Sequence, residues 1–325
     1  THFDFVKAGK SSRMVYAVIA VVCVVLMSTI GLEKGIDFTG GRNYIVAFND
    51  IKDTQKVNIQ DLQQKLEASE TFADASVKVI TISTDYQVRI TTNYDLNAQD
   101  DAEANLAVKQ AIYNAGKELG YVTVDFDAFN NEDYIPSTQK VGPSIAEDIT
   151  RGAIIAIVFA LIAIALYILI RFRNWAFSIG AVIGLAANVL VILGVYSSFW
   201  TISPFSMEID QAFIAAILTV IGYSINDIVV VFDRIREVNN LYPNKKIYDV
   251  INDALNATMP RTLNTSISTL LVLLVIFFFG GASIQSFIFA MLLGVVVDPL
   301  TTIFLAVPTA FSFLSKKEGK ITEGK

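Results

Sequence analysis

The chain has 325 residues, of which 53% are apolar and 17% are charged, and its mean hydropathy is positive. This composition is typical of a polytopic membrane protein and excludes a wholly soluble chain. The net charge is −6, and most of the acid lies between about Asp37 and Asp148, so nucleic acid is not an expected partner. The single cysteine, Cys23, excludes an internal disulfide framework. The only histidine, His2, lies outside the apolar runs, so proton chemistry within the bilayer would use carboxylates.

Six apolar runs are long enough to cross about 30 Å of hydrocarbon as helices. The predicted spans are Arg13–Leu32, Thr150–Ile170, Ala176–Ser197, Gln211–Phe232, Leu263–Gly280 and Ser283–Leu314. The first span follows basic residues, as a signal peptide does, but its length favours a retained anchor. The last span is overlong, so we expect a kink or an early exit near Pro308. Between the fourth and fifth spans, Ile247–Ala257 is predicted to form a separate interfacial helix.

The basic residues of the short loops predict the orientation of these spans. Alternate loops are basic, whereas Ser198–Asp210 and Gly280–Ala282 contain no lysine or arginine. The basic positions are Lys7, Lys10, Arg13, Arg171, Arg173, Arg234, Arg236, Lys245, Lys246, Arg261, Lys316, Lys317, Lys320 and Lys325. Both termini are therefore predicted to be cytoplasmic, and the large loop between the first two spans is predicted to be periplasmic.

That loop has the sequence pattern of a small α+β domain. The predicted elements are a strand Tyr44–Phe48, a helix Ile59–Ala68, strands Ser76–Ile82 and Gln87–Thr92, a helix Ala98–Leu119 and a strand Val122–Phe126. The order βαββαβ is the ferredoxin-like plan, and another small α+β sandwich is the alternative. The segment Asn130–Ser144 is expected to return to the membrane in an extended form. The predicted domains are 1–32 (tail and first span), 33–148 (periplasmic domain), 149–314 (spans two to six) and 315–325 (cytoplasmic tail).

The fourth apolar run contains Asn226 and Asp227. An ionisable side chain inside a membrane helix costs about 2.5–3.5 kcal/mol, so it is rarely idle. Small and polar residues recur here at helical spacing, at Thr219, Gly222, Tyr223, Asn226, Asp227, Asp233 and Arg234. We predict that this stripe faces a bundle or a wet cavity and that the apolar residues Ile214, Ile217, Leu218, Ile228 and Val229 face lipid. This pattern is typical of a transporter.

Several long motifs resemble one family. They are GIDFTGG at Gly35–Gly41, VGPSIAEDI at Val141–Ile149, IGYSINDIVVVFDRIRE at Ile221–Glu237 and PRTLNTSISTL at Pro260–Leu270. Together with six spans and one soluble domain, they resemble the SecF type of the SecD/SecF family, within the RND superfamily. The resemblance covers essentially the whole chain. It implies half of an RND-type bundle that pairs with a SecD half about a pseudo-twofold axis.

The resemblance also implies a function and a location. Such complexes lie beside the SecYEG channel in the bacterial inner membrane and use the proton gradient, or a sodium gradient, to promote preprotein export. The inserted domain would be the smaller, P4-type periplasmic domain, packed at the base of the larger SecD domain. In some bacteria the SecD and SecF halves are fused, and the start at Thr1 would suit the SecF half of such a fusion. No cofactor is implied, only the transported proton or sodium ion.

Two pairs of residues depart from the family pattern. A His-Asp pair typical of the third span of such a half is replaced by Ala187 and Asn188, and Asn188 does not change its charge. Asp298 and Pro299 lie in the sixth span, where the family usually has small residues. Gly180, Gly184 and Asn188 are spaced four apart, which predicts a close-packing face that ends in a polar group.

These positions give the candidate ion-coupling residues: Asp227, Asp298, Asn226, Asn188, Arg234 and Asp233. We hypothesise that Asp298 supplies the titratable carboxylate that Asn188 lacks; the alternative is that Asp298 only caps backbone freed by Pro299. For Asp227, the alternatives are proton transfer, holding Arg234, or a static hydrogen bond to Thr265, Ser266 or Thr269. Asp233 and Arg234 belong either to a gate or to an ion-paired helix end.

The motif near the first span supplies a candidate domain-docking segment: Gly35, Asp37, Phe38, Gly40 and Gly41. Its glycines suit a sharp exit from the membrane, and no lysine-serine pair follows that would indicate a phosphate loop. The sequence shows no Walker motif, metal-ligand cluster or nucleophilic triad, so we predict that the chain is not an enzyme. A half-RND efflux transporter for small amphiphiles and a non-transporting translocon scaffold are the alternative functions.

Overall fold

The computed structural model describes residues 3–52, 54–82, 84–203 and 205–322. Six of its helices are long and apolar enough to cross a membrane, which confirms the predicted polytopic architecture. The helices are α1 (Phe5–Thr29), α2 (Ile36–Thr39), α3 (Ile59–Glu67), α4 (Asp101–Glu118), α5 (Phe126–Phe129), α6 (Pro143–Phe172), α7 (Trp175–Phe199), α8 (Gln211–Leu241), α9 (Ile247–Phe279), α10 (Ala282–Thr301) and α11 (Val307–Thr322). The strands are β1 (Gly41–Ala47), β2 (Val77–Thr81), β3 (Gln87–Thr92) and β4 (Ser137–Val141). Residues 323–325 of the predicted tail lie outside the described range.

The bundle has a central and a peripheral set of spanning helices. Helices α7, α8 and α10–α11 form the centre, and about half of their spanning residues are buried. Helices α1, α6 and α9 lie at the periphery, and only a small share of the spanning residues of α1 and α6 is buried. A helix that is apolar all round must face lipid or another protein on its exposed side. Between their ends, the exposed side chains of α1 and α6 are mostly apolar, as at Val18, Val21, Ile154 and Phe159, which suits lipid.

Close helix packing at the centre depends on small residues, as the four-residue spacing of Gly180, Gly184 and Asn188 predicted. A Cβ atom on Gly180 would lie 2.6 Å from the carbonyl oxygen of Ala306, and one on Gly184 would lie 2.7 Å from the Ala306 Cβ. A Cβ on Gly294 would lie 2.4 Å from a methyl carbon of Val220. Van der Waals packing of small residues substitutes for the hydrophobic effect between helices in lipid.

The soluble domain contains one antiparallel sheet with the strand order β2-β3-β1-β4. Helices α3 and α4 pack against this sheet over a core that contains Tyr44, Val88, Ile90 and Val108. This order is that of the ferredoxin-like split βαβ plan, because β3 separates β1 from β2 and β1 separates β3 from β4. The predicted fold class of the inserted domain is therefore confirmed.

The predicted last strand was wrong. Residues Val122–Phe126 form a turn that leads into α5, because the Asp125 side chain accepts a hydrogen bond from the Ala128 amide and caps that helix. The fourth strand is instead β4, within the segment expected to be merely extended. Most β4 side chains are exposed, so this strand lacks the apolar alternation that identifies a strand from sequence.

Two details of the membrane region also differ from the prediction. The predicted interfacial helix Ile247–Ala257 and the fifth span form one continuous helix, α9, that contains Pro260. The sixth span does not exit at Pro308. A π-helical turn, Thr302–Ala306, separates α10 from α11, and such turns interrupt the regular hydrogen-bond ladder. The irregularity expected near Pro308 therefore lies just before that residue.

Candidate ion-coupling site and domain junction

Polar side chains from three central helices meet inside the bundle. Asn188 of α7 is 1% exposed, Asp227 of α8 is 4% exposed and Asp298 of α10 is 0% exposed. The Nδ2 atom of Asn188 donates to Ser224 Oγ at 2.9 Å and to the Gly294 carbonyl oxygen at 3.4 Å. The structure therefore brings together one residue from each of the two pairs that depart from the family pattern.

Asp298 is the centre of this cluster. Its carboxyl group interacts with the side chains of Ser224 and Asp227, and Thr302 Oγ1 donates to its Oδ1 atom at 3.5 Å. Two carboxyl groups at such close range do not both ionise easily, so a shared proton or a bound cation is the stable arrangement. The alternative that Asp227 holds Arg234 is wrong, because Arg234 pairs with Glu237.

Three buried oxygen atoms of the cluster accept no hydrogen bond from any residue that the structure describes. They are Asn188 Oδ1, Asp227 Oδ2 and Asp298 Oδ2. Buried polar atoms are normally hydrogen-bonded, and an unpaired one costs about 1–3 kcal/mol. An array of acceptors that lacks donors is suited to receive protons or a cation.

Pro299 directly follows the central carboxylate. Because proline has no amide hydrogen, the carbonyl of Val295 loses its usual helical donor. The carboxyl group of Asp298 interacts with Ser224, Asp227 and Thr302, which counts against the alternative that it merely caps freed backbone. Thr301 Oγ1 instead hydrogen-bonds to the carbonyls of Val297 and Asp298.

The remaining predicted coupling residues lie apart from this cluster. Asn226 is exposed on the bundle surface. Asp233 pairs with Arg171 at 2.9 Å, and Arg234 pairs with Glu237 at 2.7 Å. Both pairs are partly exposed and lie at the helix end remote from the soluble domain, which favours the interpretation as an ion-paired helix end.

The face of α8 that lines the bundle is the reverse of the one predicted. Ile217 and Ile228, predicted to face lipid, are buried at 1% exposure each. Thr219, Gly222 and Asn226 are exposed instead. On the neighbouring α9, exposed polar side chains continue this surface, at Arg261, Asn264, Thr265 and Ser268. Much of the small and polar stripe therefore faces outward from this chain, whereas Asp227 is buried and Tyr223 packs against α9 and α10.

Arg261 is a site residue that the sequence reasoning did not select. It lies close enough to Asp227 for a favourable charge interaction. With Val230, Asp233, Arg234 and others it lines a cleft of about 410 Å³ between α8 and α9, at the end remote from the soluble domain. The cleft reaches Val230, one helical turn from Asp227.

Ser224 and Thr302 were also missed. Ser224 lies three residues before Asp227 and thus on the same helix face, so helical spacing alone could have identified it. Thr302 lies four residues after Asp298 for the same reason. The direction of these faces could not be read from the spacing.

The glycine motif lies where the soluble domain meets the bundle. The Gly35 amide donates to the Ile209 carbonyl at 2.9 Å, and the Ile209 amide donates to the Glu33 carbonyl at 2.8 Å. Asp37 Oδ2 accepts from the Gln211 amide at 2.9 Å, and so helps to cap α8. Gly40 has a φ of +72°, which favours glycine, and a Cβ on Gly41 would lie 2.6 Å from Ile36 Cγ2. Phe38 packs against the bundle core.

Ion pairs connect the same junction to the sheet. Arg89 of β3 pairs with Glu208 at 3.1 Å, and Lys78 of β2 pairs with Glu33. Burial raises the pKa of the Asp210 carboxyl, a hydrogen bond from the Phe213 amide opposes that rise, and the carboxylates of Asp37 and Glu208 add to it. Burial lowers the pKa of Lys78. The junction is therefore a half-buried, mostly acidic surface with Arg89 and Lys78 as its counter-charges.

Comparisons with known proteins agree with these features. A family model described as "Protein export membrane protein SecD/SecF, C-terminal" matches residues 122–316, and one for the SecD/SecF GG motif matches residues 25–50. A protein translocase subunit SecF from Rhodothermus marinus is 36% identical over 318 residues, which cover 97% of this chain and 94% of the relative. A subunit SecDF from Brucella abortus is 30% identical over 96% of this chain and 37% of the relative.

A solved structure shares the fold. The crystal structure of SecDF from Thermus thermophilus, described as a translocon-associated membrane protein, matches with a TM-score of 0.76 and 26% identity. The match covers 97% of this chain and 39% of that one. The chain therefore spans about two fifths of the length of the SecDF structure.

The fold and the site define a class: a multi-pass inner-membrane transport protein built as half of an RND-type bundle, with an inserted ferredoxin-like domain. Within that class, the chain belongs to the SecD/SecF family of protein export membrane proteins.

Proposed function

We propose that the chain acts as the SecF-type half of a SecD–SecF complex, which uses a transmembrane ion gradient to promote preprotein export through SecYEG. The observation that carries this proposal is the buried contact between Asp227 and Asp298. These carboxylates lie on the two helices, α8 and α10, that reach the domain junction. Uptake and release of an ion there would bias the helices that support the soluble domain.

A second half is needed to cover the exposed polar face of α8 and α9. Asn226 is exposed within an apolar helix, and a lipid-exposed polar group at that depth is costly. A SecD half, separate or fused, placed over this face would bury it, as the SecDF relatives suggest. This surface also counts against a chain that acts alone as a small-molecule efflux transporter.

The energy source is proposed to be the ion gradient, with no hydrolysis and no bound cofactor. Moving one charge through 100 mV yields about 2.3 kcal/mol. Driving a two-state element from 1:99 to 99:1 needs about 5.5 kcal/mol. Two or three ions per cycle at a typical potential would therefore suffice, and one ion would not. The two buried carboxylates supply part of that number, and the SecD half would supply the rest.

The proposed orientation places both termini in the cytoplasm and the soluble domain in the periplasm. Asp74 is exposed in the domain and Asn239 is exposed near the remote end of α8, whereas the native Cys23 is buried. In intact cells, a membrane-impermeant maleimide should label Asp74→Cys and spare Asn239→Cys. After permeabilisation both should react. Labelling of Asn239→Cys alone in intact cells would reverse the orientation.

The coupling ion can be tested in inverted membrane vesicles that contain the chain and a SecD half. Export of a model secretory precursor is measured with a protonophore or with a sodium ionophore. The proposal expects one of the two to lower export to the level of vesicles that lack the chain. If neither has an effect beyond that seen without the chain, the motor function is wrong and a scaffold role remains.

A further inference from the structure

Glu208 lies where the soluble domain, α8 and α10 meet. Its carboxylate pairs with Arg89 at 3.1 Å, and the two side chains are 10% and 18% exposed. Its carbonyl oxygen accepts from Ser286 Oγ of α10 at 3.2 Å. The next residues, Ile209 and Asp210, lead directly into the first turn of α8. One residue thus touches all three parts.

Rigid helices connect this point to the buried carboxylates. Helix α8 runs without interruption from Gln211 to Asp227, about 24 Å along an α-helix. Helix α10 runs from Ser286 to Asp298, about 18 Å. Pro299 and the π-helical turn lie beyond Asp298, away from the junction. A change in the position of either helix at the carboxylates therefore reaches Glu208 without a hinge between them.

The Arg89 side of the contact is equally direct. Arg89 lies on β3, an inner strand of the sheet that pairs with both β1 and β2. The cavity beside the pair has a volume of about 100 Å³ and is also lined by Asp37, Asn43 and Asp210. Lys78 adds a second positive charge near Glu208. A displacement of Arg89 therefore moves the whole sheet, since both neighbouring strands are hydrogen-bonded to β3.

We propose that the Arg89–Glu208 ion pair is the joint through which the membrane helices move the soluble domain. In this proposal both are positioning residues, which transmit movement and do not bind the ion. This inference rests on the proposed function but adds a specific transmission element to it. Partial burial makes the pair sensitive to loss of one partner, since the remaining charge would be left uncompensated.

The test uses charge reversal in the complete complex with SecD. Arg89→Glu and Glu208→Arg are made singly and together, and ion flux and precursor export are measured in the same vesicles. The matched control is Lys65→Glu, which breaks an exposed pair with Glu118 inside the soluble domain. We expect each single reversal to lower export per transported ion about tenfold while ion flux persists. The double reversal should restore the ratio to within about threefold of the wild type.

Three other outcomes would contradict the proposal that this ion pair is the joint. They are an unchanged ratio in the single variants, a double variant as defective as the singles, or a parallel loss of flux and export. The milder changes Arg89→Lys and Glu208→Gln serve where a reversal prevents assembly; they should lower the ratio by a smaller factor, and an unchanged ratio there would also reject the joint. If wild-type export does not depend on the ion gradient, the proposed function itself is wrong, whatever these variants show.

Discussion

Asp298 is the least solvated carboxyl group of the described membrane region, and its neighbours are two hydroxyl groups and another carboxyl group. A lone buried carboxylate would be costly, because the bilayer supplies no water to solvate it. Proximity to Asp227 gives the pair a choice of protonation states rather than a fixed charge. A gradient-driven cycle needs a group that alternates between such protonation states.

The relation between Asp298 and Asn188 can be tested by moving the carboxylate. Both side chains contact Ser224, so the two positions are neighbours. The double variant Asn188→Asp/Asp298→Asn should recover most of the gradient-dependent export that Asp298→Asn alone loses. Vesicle export with and without the gradient measures this. Equal loss in the double and single variants would show that the carboxylate acts only from α10.

A second residue-scale prediction concerns the soluble domain. Hydrogen bonds from Lys140 and from the buried Arg42 hold the pKa of Asp101 below its usual range. A lowered folded pKa contributes stability above the unfolded pKa, and this stability is lost as the pH falls through the folded value. Asp101→Asn should therefore lower the free energy of unfolding of the soluble domain by about 1 kcal/mol at neutral pH. It should leave that free energy unchanged at acid pH, where Asp101 is already protonated.

Hydrogen exchange of the β1 and β3 amides in the full chain, corrected for intrinsic rates, measures that change between about pH 2.5 and 7. The control is Asp74→Asn, an exposed carboxylate in the same domain. A loss of protection in Asp101→Asn that is equal at both ends of the range would contradict the assigned ion pairs.

At the scale of elements, the contact between α8 and α10 sets the distance between the two carboxylates. Gly294→Ala would place a methyl group 2.4 Å from Val220, so the helices must separate. The better helix propensity of alanine is worth up to about 1 kcal/mol, whereas overpacking costs about 1–3 kcal/mol. We expect net destabilisation by about 1 kcal/mol in a thermal unfolding measurement.

Gly152→Ala on α6 is the matched control, since a Cβ there meets no atom within 4 Å. It should be neutral or slightly stabilising. A Gly294→Ala variant as stable as that control would show that the α8–α10 contact is looser than the structure indicates.

The sequence predicted the elements with strong periodicity or length. Six spans, the four-apart glycine face and three of the four strands follow from hydropathy and alternation. Strand β4 was not predicted, because backbone hydrogen bonds pair it with β1 and most of its side chains are exposed. The π-helical turn was not predicted, because a sequence shows the prolines but not the backbone hydrogen bonds that define such a turn.

Three of the six candidate coupling residues lie in the buried polar cluster, and their shared geometry could not be predicted from the sequence. Asp227, Asp298 and Asn188 were selected singly, yet their meeting depends on which faces of α7, α8 and α10 pack together. The reversed face of α8 has a physical cause: a polar stripe satisfies helical spacing equally well when it faces a second protein. The junction pair Arg89–Glu208 joins residues more than a hundred positions apart and leaves no local pattern.

At the scale of the whole molecule, the exposed polar face predicts where the SecD half binds. Gly222 is exposed near the middle of α8, and a Cβ there meets nothing within 4 Å of this chain. Gly222→Leu should leave the isolated chain folded but weaken its association with SecD at least tenfold. Co-purification at graded detergent concentrations measures this.

Gly152→Leu on the exposed face of α6 is the control and should leave association unchanged. Equal association of both leucine variants would place the SecD contact on another face of the bundle.

The central claim is that Asp227 and Asp298 together sense the ion gradient. The direct measurement is precursor export in vesicles that contain the chain paired with SecD, before and after the gradient is collapsed, for the wild type and for Asp227→Asn/Asp298→Asn. The account predicts that wild-type export falls on collapse and that the double variant, although assembled, starts at the lower level and does not respond. A double variant that responds as strongly as the wild type would contradict the account.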